Sequence, residues 1–320
     1  MIVQILGSGA GGGVPQWNCH CVNCAAARQI DGRVIPRTQS SAAISADGVN
    51  WFLLNVSADV RAQINASENL WPPADQPRGT AIAGCLLTDA EIDHTSGLLQ
   101  LREGCRFPIY STALVRQWLE HDLPFVPVLQ HFAPRDWTSF NPDAATELTL
   151  PDGQPSGLEV TLLQVGEDVP RYVQQHDTSQ QGSIVALAIR KQESNHTVIY
   201  APGVASLTSE LRAAADSADM ILIDGTFWSD DEPQTTGIRA TTARQMGHLP
   251  VSGPEGTLAW LARQPAAHRI YVHINNTNPM LVEDGPERQQ VNACGVHVAQ
   301  DGDQFSLSPD ATTEQQDGPT

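Results

Sequence analysis

The stretch Leu87-Thr88-Asp89-Ala90-Glu91-Ile92-Asp93-His94-Thr95-Ser96-Gly97 decides how this chain is read. It follows Ala81–Leu87, an apolar run whose length and composition predict a buried strand. Such a strand would deliver Asp89, Glu91, Asp93 and His94 to one end of a sheet. Alternate positions of an extended turn share a side, so the three carboxylates are expected to line one edge. No lysine or arginine interrupts the run, and charge of one sign at this density repels itself unless a cation neutralises it. Taken alone, the run also fits an acidic surface loop. A helix is expected to start at Gly97–Leu101.

Working outward, short apolar runs recur. Residues 2–6 predict a strand before the glycine-rich turn Gly7 to Gly13. Ser41–Ser45 and Trp51–Val56 flank Asp47-Gly48, a hairpin signal. Pro108–Tyr110, Leu158–Val165, Ser183–Ile189, Thr197–Tyr200, Met220–Ile223 and Arg269–His273 also read as strands, while Ser57–Ser67 and Gly256–Arg263 carry helical spacing. The segment 121–158 reads as loop-rich. Strands and helices interleave without a long linker, which favours one α/β domain over residues 1–305, with a weak rhythm of two βαβ halves. The polar segment 306–320 is expected to be a disordered tail.

The 320 residues are 41% apolar, enough for a large core, and no apolar run is long enough for a membrane helix. The N-terminus lacks the basic flank of a signal peptide, so a cytoplasmic location is expected. Acidic residues outnumber basic ones by 36 to 18, for a net charge of −18, which argues against nucleic acid as a partner. The balance leaves homodimerisation open.

Three of the six cysteines, Cys19, Cys21 and Cys24, fall on one short loop. Thiolates so spaced can converge on one tetrahedral ion, and their softness selects zinc. A closed thiolate site would be structural. Its fourth ligand must come from elsewhere; His20 is a candidate, although it sits between two ligand positions. Arg37, Gln39 and Ser40 precede a predicted strand, and Arg37 could hold a substrate carboxylate or a surface ion pair.

Thr88, Asp93, His94 and Gly97 match the Thr-His-x-His-x-Asp-His-x-x-Gly motif of the metallo-β-lactamase superfamily, with Asp89 and Glu91 in place of its first two histidines. Through residues 1–305 the chain resembles the pyrroloquinoline quinone (PQQ) biosynthesis protein B family of that superfamily. The pieces carrying the resemblance are GSGAGGGVPQWNCHCVNC, RTQSS, LTDAEIDHTSGL, LIDGTFW, MGHLPVSG and YVHINNTNP. The resemblance implies an αββα sandwich of two mixed β-sheets flanked by helices. It also implies distal metal ligands at strand ends: Asp224 after Met220–Ile223, His273 after Arg269–Val272, and, as the weakest match, His176 before Gly182. His248 matches a loop histidine that some relatives use near substrate, suited to acid–base work. His121, His131, His196, His268 and His297 lack such context and read as surface or packing residues.

Replacing two histidines by Asp89 and Glu91 weakens one subsite of a binuclear zinc centre. His94, His273 and one carboxylate, Asp93 or Asp224, remain, and two histidines with a carboxylate form the ligand set of iron(II) oxygenases. The resemblance implies hydroxylation of the tyrosine ring in a cross-linked Glu–Tyr precursor derived from a peptide. On this reading His94, His273 and Asp93 hold Fe2+, with Asp224 as a further candidate, the cysteines hold Zn2+, and Asp89, Glu91 and His248 handle protons and substrate. Two alternatives stand beside it: a carrier that moves PQQ or its precursor to the periplasm, and a zinc hydrolase.

Overall fold

The computed structural model describes residues 1–29, 32–132, 136–174, 178 and 180–307. Six strands appear in the first half: β1 (Ile2–Gly7), β2 (Ser41–Ser45), β3 (Trp51–Leu54), β4 (Ile82–Leu86), β5 (Ile109–Ser111) and β6 (Trp137–Ser139). Seven follow: β7 (Thr146–Thr149), β8 (Pro155–Gly166), β9 (Ile184–Lys191), β10 (Thr197–Ala201), β11 (Met220–Asp224), β12 (His268–Val272) and β13 (His297–Val298). The last, β14 (Gln304–Ser306), crosses back to pair with β1.

Two seven-stranded sheets result, in the orders β14-β1-β2-β3-β4-β5-β6 and β13-β12-β11-β10-β9-β8-β7. Each begins with antiparallel pairs and ends with parallel ones, β3 through β6 in the first and β10 through β13 in the second. This repetition is the two-half rhythm seen faintly in the sequence.

Side-chain alternation builds the layers. Phe52 and Leu54 of β3 join Met220 and Leu222 of β11 in the core between the sheets. Their neighbours face outward: Trp51 and Leu53 pack with Val60, Val115 and Trp118 of one helical layer. Ile221 and Ile223 pack with Leu211, Leu258 and Val291 of the other. Being covered on both faces, the central strands are apolar throughout, and the chain is an αββα sandwich of two mixed sheets.

Several expectations shift at their edges. The helix after β4 starts at Ile92, not Gly97, so Asp93 and His94 lie on a helical turn (Ile92–Thr95) rather than an extended one. The 121–158 segment holds a helix, Phe125–Gln130, and the start of the second sheet. Its elements are short and partly polar, which hides their periodicity. Ser306 is paired in β14 and Leu307 is buried, so any tail begins no earlier than 308. His176 lies outside the described residues. Among them, no helix is long and apolar enough to cross a membrane.

Candidate metal centres

Parallel strands gather polar residues at their carboxyl ends, where open α/β sheets bind ligands. Here β4 leads into Thr88–His94, β11 ends at Asp224, and β12 leads into His273. Glycine permits two close approaches. At Gly97 a Cβ would lie 2.0 Å from Ser57 O, and at Gly11 it would lie 2.9 Å from Asp93 Oδ2. His273 itself adopts φ +56°, a left-handed conformation that a histidine holds only where its surroundings compel it.

Two overlapping groups of ligand atoms form: Asp93, His94 and His273, and Asp224, His248 and His273. In each group the atoms lie within 4.8 Å of one another. His273 Nε2 is 3.4 Å from Asp93 Oδ2, and the His94 and His273 rings meet edge to face at 5.0 Å. The His248 ring stacks on His273 at 5.6 Å.

Hydrogen bonds aim these rings. Asp89 sits 2.9 and 2.7 Å from His94 Nδ1 with its two oxygens. It also accepts from Glu91 N and Thr88 Oγ1, so the carboxylate is fully engaged. His94 Nδ1 is thereby the donor, and its Nε2 faces the site, where a proton and a metal ion compete for its lone pair. That Nε2 is buried and has no hydrogen-bond partner. An orphaned buried acceptor is costly unless a cation meets it.

Asp224 is also fully engaged. Its oxygens accept from Thr226 N, Thr226 Oγ1, Val204 N and His248 Nδ1, at 2.6–3.0 Å. A carboxylate has about four lone-pair sites, and four protein donors fill them. Thr226 Oγ1 is also 2.8 Å from His273 Nδ1. Because Asp224 cannot donate, the hydroxyl proton goes to it, and the threonine oxygen accepts from His273 Nδ1–H. All three imidazoles thus turn Nε2 toward the site, oriented by partners behind them, and that of His273 lies against Asp93.

The electrostatics agree. Burial alone would favour a neutral His94, but Asp89 and Asp93 push it up to about 9. Burial opposes ionisation of Asp93, yet His94 and His273 hold it well below the usual carboxylate range. Partial burial, with Asp89 and Asp93 beside it, raises Glu91 to about 7. Glu91 nevertheless keeps an exposed surface at the rim. A field that draws protons this strongly also draws a metal cation.

The second centre is the cysteine loop. Cys19, Cys21 and Cys24 bring their sulfurs within 4.8 Å of one another. Burial and the neighbouring thiols push Cys24 up to about 12, so three thiolates require a cation among them. The donor set fits a zinc ion. His20 is exposed and outside the group.

The substrate contacts expected of Arg37, Gln39 and Ser40 are not what the structure provides. The Arg37 side chain is fully buried, donates to Ser8 Oγ and Ala299 O, and lies 3.6 Å from Glu283. Ser40 is enclosed in the fold. Gln39 bonds Asp59 and accepts from Gly12 N, bracing the glycine turn beside Asp93. The stretch RTQSS leads into β2 in sequence, but the inward turn of Arg37 is set by distant residues.

Sequence reasoning did not single out Thr226, Thr88 as a bonding partner, or Glu232. Thr226 follows the Asp224 strand end and was visible as part of LIDGTFW.

Residues 50–274 match the family model for the Beta-lactamase superfamily domain, so the fold and its strand-end site place the chain in that superfamily. It is 42% identical over 313 residues to a coenzyme PQQ synthesis protein B from Cupriavidus necator, covering 95% of this chain and 99% of the relative. One from Methylococcus capsulatus is 40% identical, covering 94% and 98%. A crystal structure described as Zn(2+)-bound PqqB from Methylobacterium extorquens superposes with a TM-score of 0.87 at 39% identity, covering 96% of this chain and all of that one. The chain belongs to the coenzyme PQQ synthesis protein B family. A diphosphatase of the PhnP family shares the fold at a TM-score of 0.65 and 18% identity, covering 95% and 96% of the two chains.

Proposed function

We propose that this protein acts in PQQ biosynthesis as an iron(II)-dependent hydroxylase of the tyrosine ring in a cross-linked Glu–Tyr precursor. The names of its relatives support the pathway. One observation carries the chemistry: His94 Nε2 is buried without a partner and grouped with His273 and Asp93. Two imidazoles and one carboxylate on one face leave further positions open, the arrangement of mononuclear iron(II) oxygenases. Bound there, Fe2+ would supply the activation of dioxygen beside the ring, one oxygen atom entering the ring and the other leaving as water with two protons and two electrons from an external reductant such as ascorbate.

The protein's own residues do the rest. Asp89 and Thr226 hold His94 and His273 in the tautomer that presents Nε2. Asp224 orients His248 and Thr226 rather than binding metal, because its lone pairs are already used. His248, anchored at Nδ1, presents its Nε2 as a further ligand or as the group that takes the phenol proton. Glu91, at the rim and near neutrality in its titration, suits proton exchange with solvent.

The zinc hydrolase reading is weaker on the same geometry. A second ion at Asp224, His248 and His273 would have to displace a donor from Asp224, whose four lone-pair sites are engaged. Nothing in the site favours a carrier over a catalyst.

The test is oxygen uptake by anaerobically purified, iron(II)-loaded protein with a tyrosine-derived substrate and ascorbate as the two-electron reductant, the product followed by mass. Uptake matched to added ring oxygen, lost in His94→Ala, is the expected result. Uptake unchanged in His94→Ala, or zinc-stimulated phosphodiester hydrolysis in its place, would overturn the proposal.

A further inference from the structure

The helical layer over the second sheet carries an open groove of about 490 Å³ between the helices Ser209–Ala215 and Thr257–Leu261. Arg212 stands on the first helix, Arg263 just past the end of the second, and Arg244 on the single turn Arg244–Met246. All three line the groove and are exposed. Its one lining carboxylate is Glu255, which takes Arg244 Nη2 at 3.2 Å. Among the described residues, Arg212 and Arg263 have no carboxylate within salt-bridge distance. Half-buried Trp260 gives the groove an apolar wall.

Charge decides what such a groove can hold. The chain carries a net charge of −18, so its overall field repels anions. Three guanidinia against one carboxylate reverse that sign locally. A guanidinium meets a carboxylate with two parallel N–H bonds, a geometry that lysine cannot offer. The three forks come from separate elements, and two are tied to different walls: Arg212 Nε donates to Leu207 O at 3.1 Å, whereas Arg244 leans on Glu255. Carboxylates spread along a peptide match forks held apart in this way, whereas a single compact anion does not.

The groove also backs onto the second metal centre. Its lining residues Ala205, Ser206 and Leu207 continue from Val204, whose N–H holds Asp224, and its lining residue Leu249 follows His248. Leu249 N donates to Val204 O at 2.8 Å, which stitches the two segments together.

We propose that this groove docks an acidic segment of a partner polypeptide, its carboxylates received by Arg212, Arg244 and Arg263 and its backbone resting on Trp260. The docked segment lies against the two stretches of chain that aim His248. The inference stands apart from the hydroxylase reading and needs no metal or dioxygen for its test.

Hexaglutamate titrated calorimetrically into the full-length, zinc-loaded protein at low ionic strength should bind at one saturable site, and hexaglutamine should not. Affinity should fall as salt is added. Arg212→Ala combined with Arg263→Ala should weaken binding at least about 10-fold, because each fork forfeits charge-assisted hydrogen bonds. Both side chains are exposed, so the variant should keep the wild-type melting temperature. Arg78→Ala combined with Arg102→Ala, two residues that line a separate groove, should leave binding intact. Absence of saturable binding, binding that survives the loss of Arg212 and Arg263, or an equal loss in the Arg78 and Arg102 pair would overturn the proposal. Free tricarballylate or inorganic phosphate binding as tightly as hexaglutamate would overturn it as well, since the groove would then hold small anions rather than a peptide.

Discussion

The two centres are built from opposite materials on neighbouring stretches of backbone. The cysteine centre takes its sulfurs from six consecutive positions and is soft, compact and enclosed. The imidazole and carboxylate centre takes its groups from the ends of β4, β11 and β12 and relies on Asp89, Thr226 and Asp224 behind them. The first needs only a loop to bring its ligands together. The second needs the whole sandwich folded, and it keeps an open side. The difference teaches that closure suits a fastener, whereas remote assembly with braced rings suits chemistry.

The sharpest way to break this contrast is to remove one ligand from each centre. Cys24→Ser should empty the cysteine centre and lower stability by several kcal/mol, since binding of a structural ion is coupled to folding. Thermal unfolding with metal analysis checks it; a variant that keeps its metal and its melting temperature would erase the contrast. His94→Ala should leave the cysteine-bound metal in place and weaken the second centre by more than about 100-fold, beyond the loss expected for an outer partner. Equilibrium metal binding gives the answer, and equal loss at both centres would show that they are one unit.

Asp89→Asn probes the bracing itself. It keeps size but weakens the hold on His94 Nδ1, and should cost about 10–100-fold in metal affinity at the second centre. No change in affinity would mean that ring orientation is set by packing alone.

A further effect, on stability, concerns Glu232, buried beside Thr277 in the segment that follows β12. It is 4% exposed, accepts from Thr277 Oγ1 at 2.6 Å, and is raised by burial from 4.5 to about 7. Below pH 4.5 both folded and unfolded chains keep this proton. Between there and about 7 only the folded chain keeps it, so stability falls as pH rises, and the loss is complete above about 7. The loss is roughly 3 kcal/mol at most. Glu232→Gln should therefore gain stability over wild type at pH 8 and not at pH 4, in urea unfolding. A constant difference between the two proteins across that range would remove Glu232 from the account.

Much of this was legible in the sequence, for identifiable reasons. The strands announced themselves because central strands covered on both faces are continuous apolar runs, as at Met220–Ile223. Cys19, Cys21 and Cys24 were legible because their ligand atoms are neighbours in the chain. Asp93, His94 and His273 came from strand ends and from the family motif, and the fold brings them together. The partners behind the rings were not legible. Asp89 was read as lining an extended edge, but the chain turns helical at Ile92 and folds His94 back onto it. Asp224 was read as a candidate ligand and does fall in a group of ligand atoms with His248 and His273, but the four donors converging on it show only in three dimensions. Arg37 was assigned to substrate because nothing local reveals that Ser8 and Ala299 receive its guanidinium.

The central claim is that one iron ion is held by His94, His273 and Asp93, away from the sulfurs. X-ray absorption at the iron edge, on protein loaded anaerobically with one equivalent of iron(II) after zinc fills the cysteine site, addresses it directly. The account predicts a nitrogen and oxygen shell with imidazole scattering, no sulfur, and loss of imidazole signal in His94→Ala. A sulfur shell, or a spectrum indifferent to His94→Ala, would contradict it.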